Sequence, residues 1–203
     1  MFSQDEKARL QELKEELAKH MQNNEKRYVH SLGVADAAVR LAEVYDLSRF
    51  DTAVAGLLHD WEKNKSVEDI VTEVEMIPGN LGFQRDDLAS LGPTLHGYLA
   101  AHTLPKRYPW LSQEILKAIA LHTTGAYDIS ELGMALFVAD AIELGRGHHE
   151  DLEALRDLVG GVPLDVLYKK TFIQKMQWVT ASGKAVSQDA RKLNERYLSE
   201  LAG

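Results

Sequence analysis

Apolar residues recur at helical spacing through almost the whole chain, and no stretch keeps up the polar–apolar alternation that a sheet needs. Leu10, Leu13, Leu17 and Met21 fall at i, i+3, i+7 and i+11, one stripe of an amphipathic helix whose other faces carry Glu and Lys. Val34, Ala38, Leu41 and Ala42 continue the pattern in a second helix, from about Glu25 to Tyr45. Two further segments are apolar on nearly every side, which reads as full burial. One runs from Thr52 to Leu58, with Asp51 as its expected N-cap; the other runs from Leu132 to Ile142. Ile115, Leu116 and Ile119 mark another helix, ended by Gly125 after Thr123-Thr124. The segment from Pro163 to Tyr197 reads as two more helices, separated near Ala181-Ser182-Gly183. The longest irregular connection is expected from about Thr72 to Gly92, around Pro78-Gly79 and Leu91-Gly92-Pro93, and it reads as a pocket rim. The expected fold is all-α, a helical bundle. Residues 1–24 form an N-terminal amphipathic helix on or beside a core made by residues 25–203.

A chain of 203 residues suits one domain, or one domain with a small extension, and 45% hydrophobic residues supply a core. The 31 acidic against 23 basic side chains give a formal net charge of −8. That argues against broad nucleic-acid or anionic-membrane binding, which needs a basic surface, but leaves room for a local basic cluster around one phosphate-bearing ligand. With no cysteine, disulfides, Cys-zinc sites, iron–sulfur clusters and thiol catalysis are excluded. The first twenty residues are charged throughout and lack a signal-peptide core, and the apolar runs fall short of the ~18 residues of a membrane span. The expectation is a soluble, cytoplasmic protein. The Leu10, Leu13 and Leu17 stripe could serve a partner helix as well as its own core, so a homodimer is a possible state.

The chemistry starts from a physical cost. An ionised carboxylate among apolar groups is very unfavourable unless paired, hydrogen-bonded or bound to a metal. Asp60 follows Gly56-Leu57-Leu58-His59 and Asp140 follows Met134-Ala135-Leu136-Phe137-Val138-Ala139, so both are read as sitting on helices that want burial. Each needs a cation, either a divalent metal or a buried Arg or Lys. Histidines give the second clue: His30, His59, His96 and His122 lie on separate apolar segments. A single His of this kind is more often a hydrogen-bonded core residue than a ligand. Four of them with two carboxylates could enclose one or two ions, and without thiolates iron, manganese, cobalt or zinc is suited. Arg27, one helical turn before His30, and Lys63, three residues beyond Asp60, could reach a phosphate in the same pocket. For Lys63 a solvated place in Glu62-Lys63-Asn64-Lys65 is an equal alternative. Asn64, Glu62, His102, His148 and His149 are read as surface or rim residues.

The order His30, His59-Asp60, Asp140 resembles the HD superfamily of metal-dependent phosphohydrolases, whose pattern is H…HD…D on an all-helical core. The blocks RYVHSLGV, AGLLHDWEK, LHGYLAA, AIALHTTG and FVADAIELGR extend the resemblance to the bacterial branch of symmetrical dinucleoside-tetraphosphate hydrolases, from about Arg27 to Leu193. The resemblance implies an HD-domain helical bundle. It implies that His30, His59, Asp60 and Asp140 hold one metal, and that His96 and His122 with a bridging Asp60 hold a second, a di-iron-type site for which manganese, cobalt or zinc are the alternatives. Asp60 and Lys63 would be catalytic. Arg27, Lys63, Thr123, Thr124 and Arg146 would bind substrate, Arg146 closing an Asp-x-x-Glu-x-x-Arg run that begins at Asp140. The implied reaction is cleavage of diadenosine tetraphosphate into two ADP by a hydroxide held between the metals. Trp61, Ala141 and Leu144 depart from the family's usual residues and bear on the shape of the nucleoside pocket. Two alternatives share the helices: a broader nucleotidase or phosphodiesterase, and a nucleotide-binding regulatory module without turnover.

Overall fold

The computed structural model describes residues 1–77, 88, 91–184 and 186–203. Among the described residues there are ten α-helices and no strand: α1 (Gln4–His20), α2 (Glu25–Tyr45), α3 (Arg49–Leu58), α4 (Val67–Glu75), α5 (His96–Arg107), α6 (Gln113–Leu121), α7 (Glu131–Ile142), α8 (Glu150–Asp157), α9 (Leu164–Ala181) and α10 (Gln188–Ala202). Six of them start on a serine whose hydroxyl accepts a backbone N–H of the first turn, which satisfies one of the donors that every helix start leaves over. At α3 this serine is Ser48, so the expectation of Asp51 as N-cap is corrected. Arg49 and Phe50 are already helical, and Ser48 accepts from the N–H of Asp51. Thr72 is likewise not in an irregular connection, since α4 runs to Glu75. Pro78 and Gly79 lie outside the described residues. Helix α8 is an element that the apolar spacing did not reveal.

The all-round apolar helix α7 is the hub. It packs on α2, α3, α6, α8 and α9, so no face of it is left to solvent. The stripe Leu10, Leu13, Leu17 and Met21 of α1 is buried in the same core, with α1 resting on α2 and α3. A smaller apolar cluster of Ile70, Val74, Ile77, Leu88, Leu95 and Leu99 joins α4 to α5. The C-terminal pair α9 and α10 is tied to the turn after α6 by two phenols. The Tyr168 and Tyr197 hydroxyls both donate to the Ala126 carbonyl, at 3.1 and 3.0 Å. No helix among the described residues is long and apolar enough to cross a membrane.

Helices α2 and α3 cross at Gly56. A Cβ there would sit 2.6 Å from Ala35 Cα and 2.8 Å from its nitrogen, backbone atoms that cannot swing aside. Gly56→Ala is therefore expected to force the helices apart and destabilise the fold by about 1–3 kcal/mol. Gly161→Ala, whose new carbon would meet nothing closer than 3.6 Å, serves as the control with little change. Urea unfolding of both variants measures the difference. Equal midpoints would show that the α2–α3 crossing is not tight.

Candidate metal centre

Five segments deliver the site, and four of them do so at a helix end. His30 lies in the second turn of α2. His59 is the C-cap of α3, and Asp60 follows it at the start of a single 3-10 turn, Trp61–Asn64. His96 is the first residue of α5, His122 is the C-cap of α6, and Asp140 stands in the last turn of α7. Asp60 is thus beyond the apolar helix rather than on it, because the backbone turns at φ −101°, ψ 19°. Lys63 closes that turn through its N–H to the Asp60 carbonyl at 2.9 Å.

The donor atoms converge on Asp60. Its Oδ2 is 3.5 Å from His59 Nε2 and 3.7 Å from His30 Nε2. Its Oδ1 is 2.8 Å from His96 Nε2 and 3.7 Å from His122 Nε2. Each oxygen faces a separate pair of imidazoles, His30 with His59 and His96 with His122. The Nε2 atoms in a pair are 3.3 and 3.1 Å apart. Two groups, His30-His59-Asp60 and Asp60-His96-His122, each place their ligand atoms within 4.8 Å of one another, with Asp60 common to both. Asp140 Oδ1 joins the first, at 3.2 Å from His30 Nε2 and 4.0 Å from His59 Nε2.

Helix ends fix the rings. A carbonyl only accepts, so His59 Nδ1–H donates to the Gly56 carbonyl and His122 Nδ1–H to that of Ile119, both at 2.7 Å. Glu143 does the same for His30, its Oε1 lying 3.0 Å from Nδ1. Three rings therefore turn Nε2 inward, as a metal ligand requires. His96 differs: its Nδ1 is 3.1 Å from Lys63 Nζ, which also donates to the Pro93 carbonyl at 2.9 Å. Gly97 gives His122 its place, since a Cβ there would come within 2.7 Å of His122 Nδ1.

So many acceptors need positive charge, and the chain supplies it. Burial pushes the Asp60 carboxyl up, yet it is held well below the usual range by the His59 charge and by hydrogen bonds from His122, His59 and His96. Asp140 is likewise held well below that range. Burial opposes this, but the Lys175 ammonium, the bond from His30 and the Arg146 guanidinium prevail. His59 is raised because Asp60 and Asp140 outweigh its burial. Burial lowers His122, pushes His96 down to about 4, and lowers Lys63 against the pull of Asp60. The direct cation contacts are short. Arg27 Nη1 is 2.6 Å from Asp60 Oδ2, Arg146 Nη2 is 2.5 Å from Asp140 Oδ1, and Lys175 Nζ is 3.3 Å from Asp140 Oδ2.

These groups floor a cleft of about 420 Å³. Arg27, Asp60, Lys63, His96, His122, Thr123, Thr124, Asp140 and Arg146 line it, while His30 and His59 lie beneath. The Thr123 hydroxyl donates to the Thr94 carbonyl at 2.9 Å, so its place in the wall is fixed. Three residues stand out that sequence reasoning passed over. Lys175 of α9 is far along the chain and carried no pattern. Glu143 lay inside the Asp-x-x-Glu-x-x-Arg run without a role. Glu62, read as a surface residue, is buried, accepting from Thr103 Oγ1 at 2.6 Å and pairing with Lys65 at 3.0 Å.

His96 gives a pH test in the metal-free protein. Its folded value of about 4 lies below the ordinary 6.5, so the unfolded chain binds the extra proton between those values. The stability that its neutral form contributes is complete above pH 6.5 and is lost as pH falls toward 4. His96→Asn is expected to flatten the pH dependence of unfolding there by up to about 1.4 kcal/mol per pH unit. Urea titrations at stepped pH read it, and parallel curves for the two proteins would refute it.

The HD domain family model matches residues 27–145, more than half of the chain, a span that contains all six candidate ligands. A symmetrical bis(5'-nucleosyl)-tetraphosphatase of Staphylococcus aureus is 40% identical over 126 residues, covering 60% of this chain and 61% of that protein. The chain thus matches about three fifths of that relative's length. A protein of the same name from Halalkalibacterium halodurans is 28% identical over 158 residues, 74% of this chain and 81% of that one. A crystal structure from Clostridium acetobutylicum, described as a predicted HD superfamily hydrolase involved in NAD metabolism, matches with a TM-score of 0.77 at 28% identity. It covers 92% of this chain and 97% of that one. By its helices, its His-Asp constellation and this match, the chain belongs to the HD domain family.

Proposed function

We propose that this chain hydrolyses dinucleoside tetraphosphates symmetrically, diadenosine tetraphosphate to two ADP, with two divalent metal ions held at the cluster. One observation carries the reading: a single buried carboxylate, Asp60, faces a pair of imidazole Nε2 atoms with each of its oxygens. His30 and His59, whose Nδ1 protons are engaged by Glu143 and by the Gly56 carbonyl, cannot satisfy each other at 3.3 Å, and a cation between them can. His30, His59, Asp60 and Asp140 would hold one ion; His96, His122 and Asp60 would hold the other. The donors are nitrogen and oxygen without sulfur, which suits iron, manganese, cobalt or zinc, and iron is the ion that the resemblance favours. When bound, such a pair makes water acidic enough to attack phosphorus and clamps the phosphoryl oxygens.

The chain's own residues handle the polyphosphate. Among the described residues the cleft is lined by five basic side chains, Arg27, Lys63, Arg146, Lys175 and Lys184, against two acidic ones. Arg27 and Arg146 present planar forks suited to phosphate oxygens, while Lys63 and Lys175 act as point charges. Thr123 and Thr124 stand beside His122 on the wall toward Thr94. Lys63 lies within reach of both the cluster and the cleft, a place from which it would stabilise the departing diphosphate. The relatives from Staphylococcus aureus and Halalkalibacterium halodurans carry names that support the substrate.

Metal-loaded protein incubated with diadenosine tetraphosphate is expected to yield ADP alone; AMP plus ATP would exclude the symmetrical cut, and no turnover with any of the four metals would exclude the substrate. Asp140→Ala is expected to abolish activity while keeping most of the fold, because α7 retains its apolar faces; near wild-type turnover would remove Asp140 from the site. Glu143→Ala frees the His30 ring and is expected to weaken metal affinity about 10- to 100-fold. Competition with a chelating dye measures it, and unchanged affinity would show that Glu143 does not orient His30.

A further inference from the structure

The cleft does not end beside the metal-ligating cluster. Past Thr94, Thr124, Ser187 and Ala190, which line both spaces, it continues into a second hollow of about 550 Å³. The two differ in chemistry. The first is strongly basic, as a chain of phosphates requires. In the second, Asp189 offsets Lys192, and Arg196 is engaged by Glu200, with its Nε 2.9 Å from Glu200 Oε1. Arg196 lies over Tyr127, its guanidinium carbon 3.3 Å from the ring centre, and Tyr127 is 53% exposed. Stacked on an exposed phenol, this guanidinium adds a second π surface to the hollow.

A substrate cut symmetrically has a nucleoside at each end of its phosphate chain, so it needs two surfaces that bind bases on either side of the phosphate-binding stretch. The first cleft offers one such surface, the apolar wall of Phe172, Met176 and Val179 at i, i+4 and i+7 on α9. We infer that the second hollow takes the other nucleoside, whose base stacks on the Tyr127–Arg196 pair. This inference rests on the substrate class proposed above. Flat stacking is indifferent to which base is presented, so the subsite selects for a second base as such rather than for adenine.

The test compares two substrates of the metal-loaded full chain: diadenosine tetraphosphate, with two nucleosides, and adenosine 5'-tetraphosphate, with one. Tyr127→Ala is expected to lower the ratio of their kcat/KM values about 10-fold, the scale of one base–aromatic stack. The loss should appear in KM for the two-nucleoside substrate, and Tyr127→Phe, which keeps the ring, should restore the ratio. An unchanged ratio, or an equal fall for both substrates, overturns the subsite while leaving the functional reading in place. A wild-type protein that does not turn over diadenosine tetraphosphate overturns that reading and the subsite with it.

Discussion

Asp60 is only 3% exposed, and a buried carboxylate left ionised without partners would cost more than the helices around it could return. Much of the architecture near it can be read as the answer to that cost. Each oxygen meets two imidazoles, and Oδ2 also meets Arg27 at 2.6 Å. Removing Asp60 in thought takes from His96, His122 and Arg27 the carboxylate they meet and leaves His30 and His59 with Asp140 alone. The carboxylate therefore organises its neighbours as much as they stabilise it.

Helix ends are what make this convergence possible. The last carbonyls of a helix have no partner within the helix, so they are free to accept from side chains. His59 and His122 use them identically, each donating Nδ1–H to the carbonyl three residues back, Gly56 and Ile119. One bond gives a carbonyl of the last turn a side-chain partner, fixes the tautomer and aims the ring. The C-terminal ends of α3 and α6 also place the negative end of a helix dipole next to the cluster, which favours a cation there. His96 stands at the start of α5 instead and relies on Lys63 and Asp60 for its orientation.

The sequence reading reached what depends on local pattern. The span of α2 from Glu25 to Tyr45, the all-round apolar α7 and the break near Ser182-Gly183 all follow from spacing. Asp60 and Asp140 were legible because a charge in an apolar run is conspicuous. Contacts between distant segments were not. Lys175 lies 35 residues from the Asp140 carboxylate it meets, and one Lys on an amphipathic helix looks like any other. Glu62 misled for a different reason. In Glu62-Lys63-Asn64-Lys65 it resembles a solvated run, but a 3-10 turn advances more sharply per residue than an α-helix and brings it inward to Thr103. Ser48 escaped because Arg49 and Phe50 do not look like a helix start, whereas Asp51, three residues on, does.

Charge shows how far a whole-chain quantity can mislead about a site. The net charge of −8 speaks against a general affinity for polyanions, yet the cleft's lining holds five basic residues and two acidic ones. A phosphate chain in the cleft responds to charges in contact with it, while acidic groups more than about 8 Å away are largely screened at physiological ionic strength. The acidic exterior and the basic cleft are therefore compatible, and they act on different ligands. The exterior discourages long polyanions that must lie across the surface, such as nucleic acids. Under the proposed function the cleft takes a short one that can enter it, its five cations outweighing the two carboxylates of its lining.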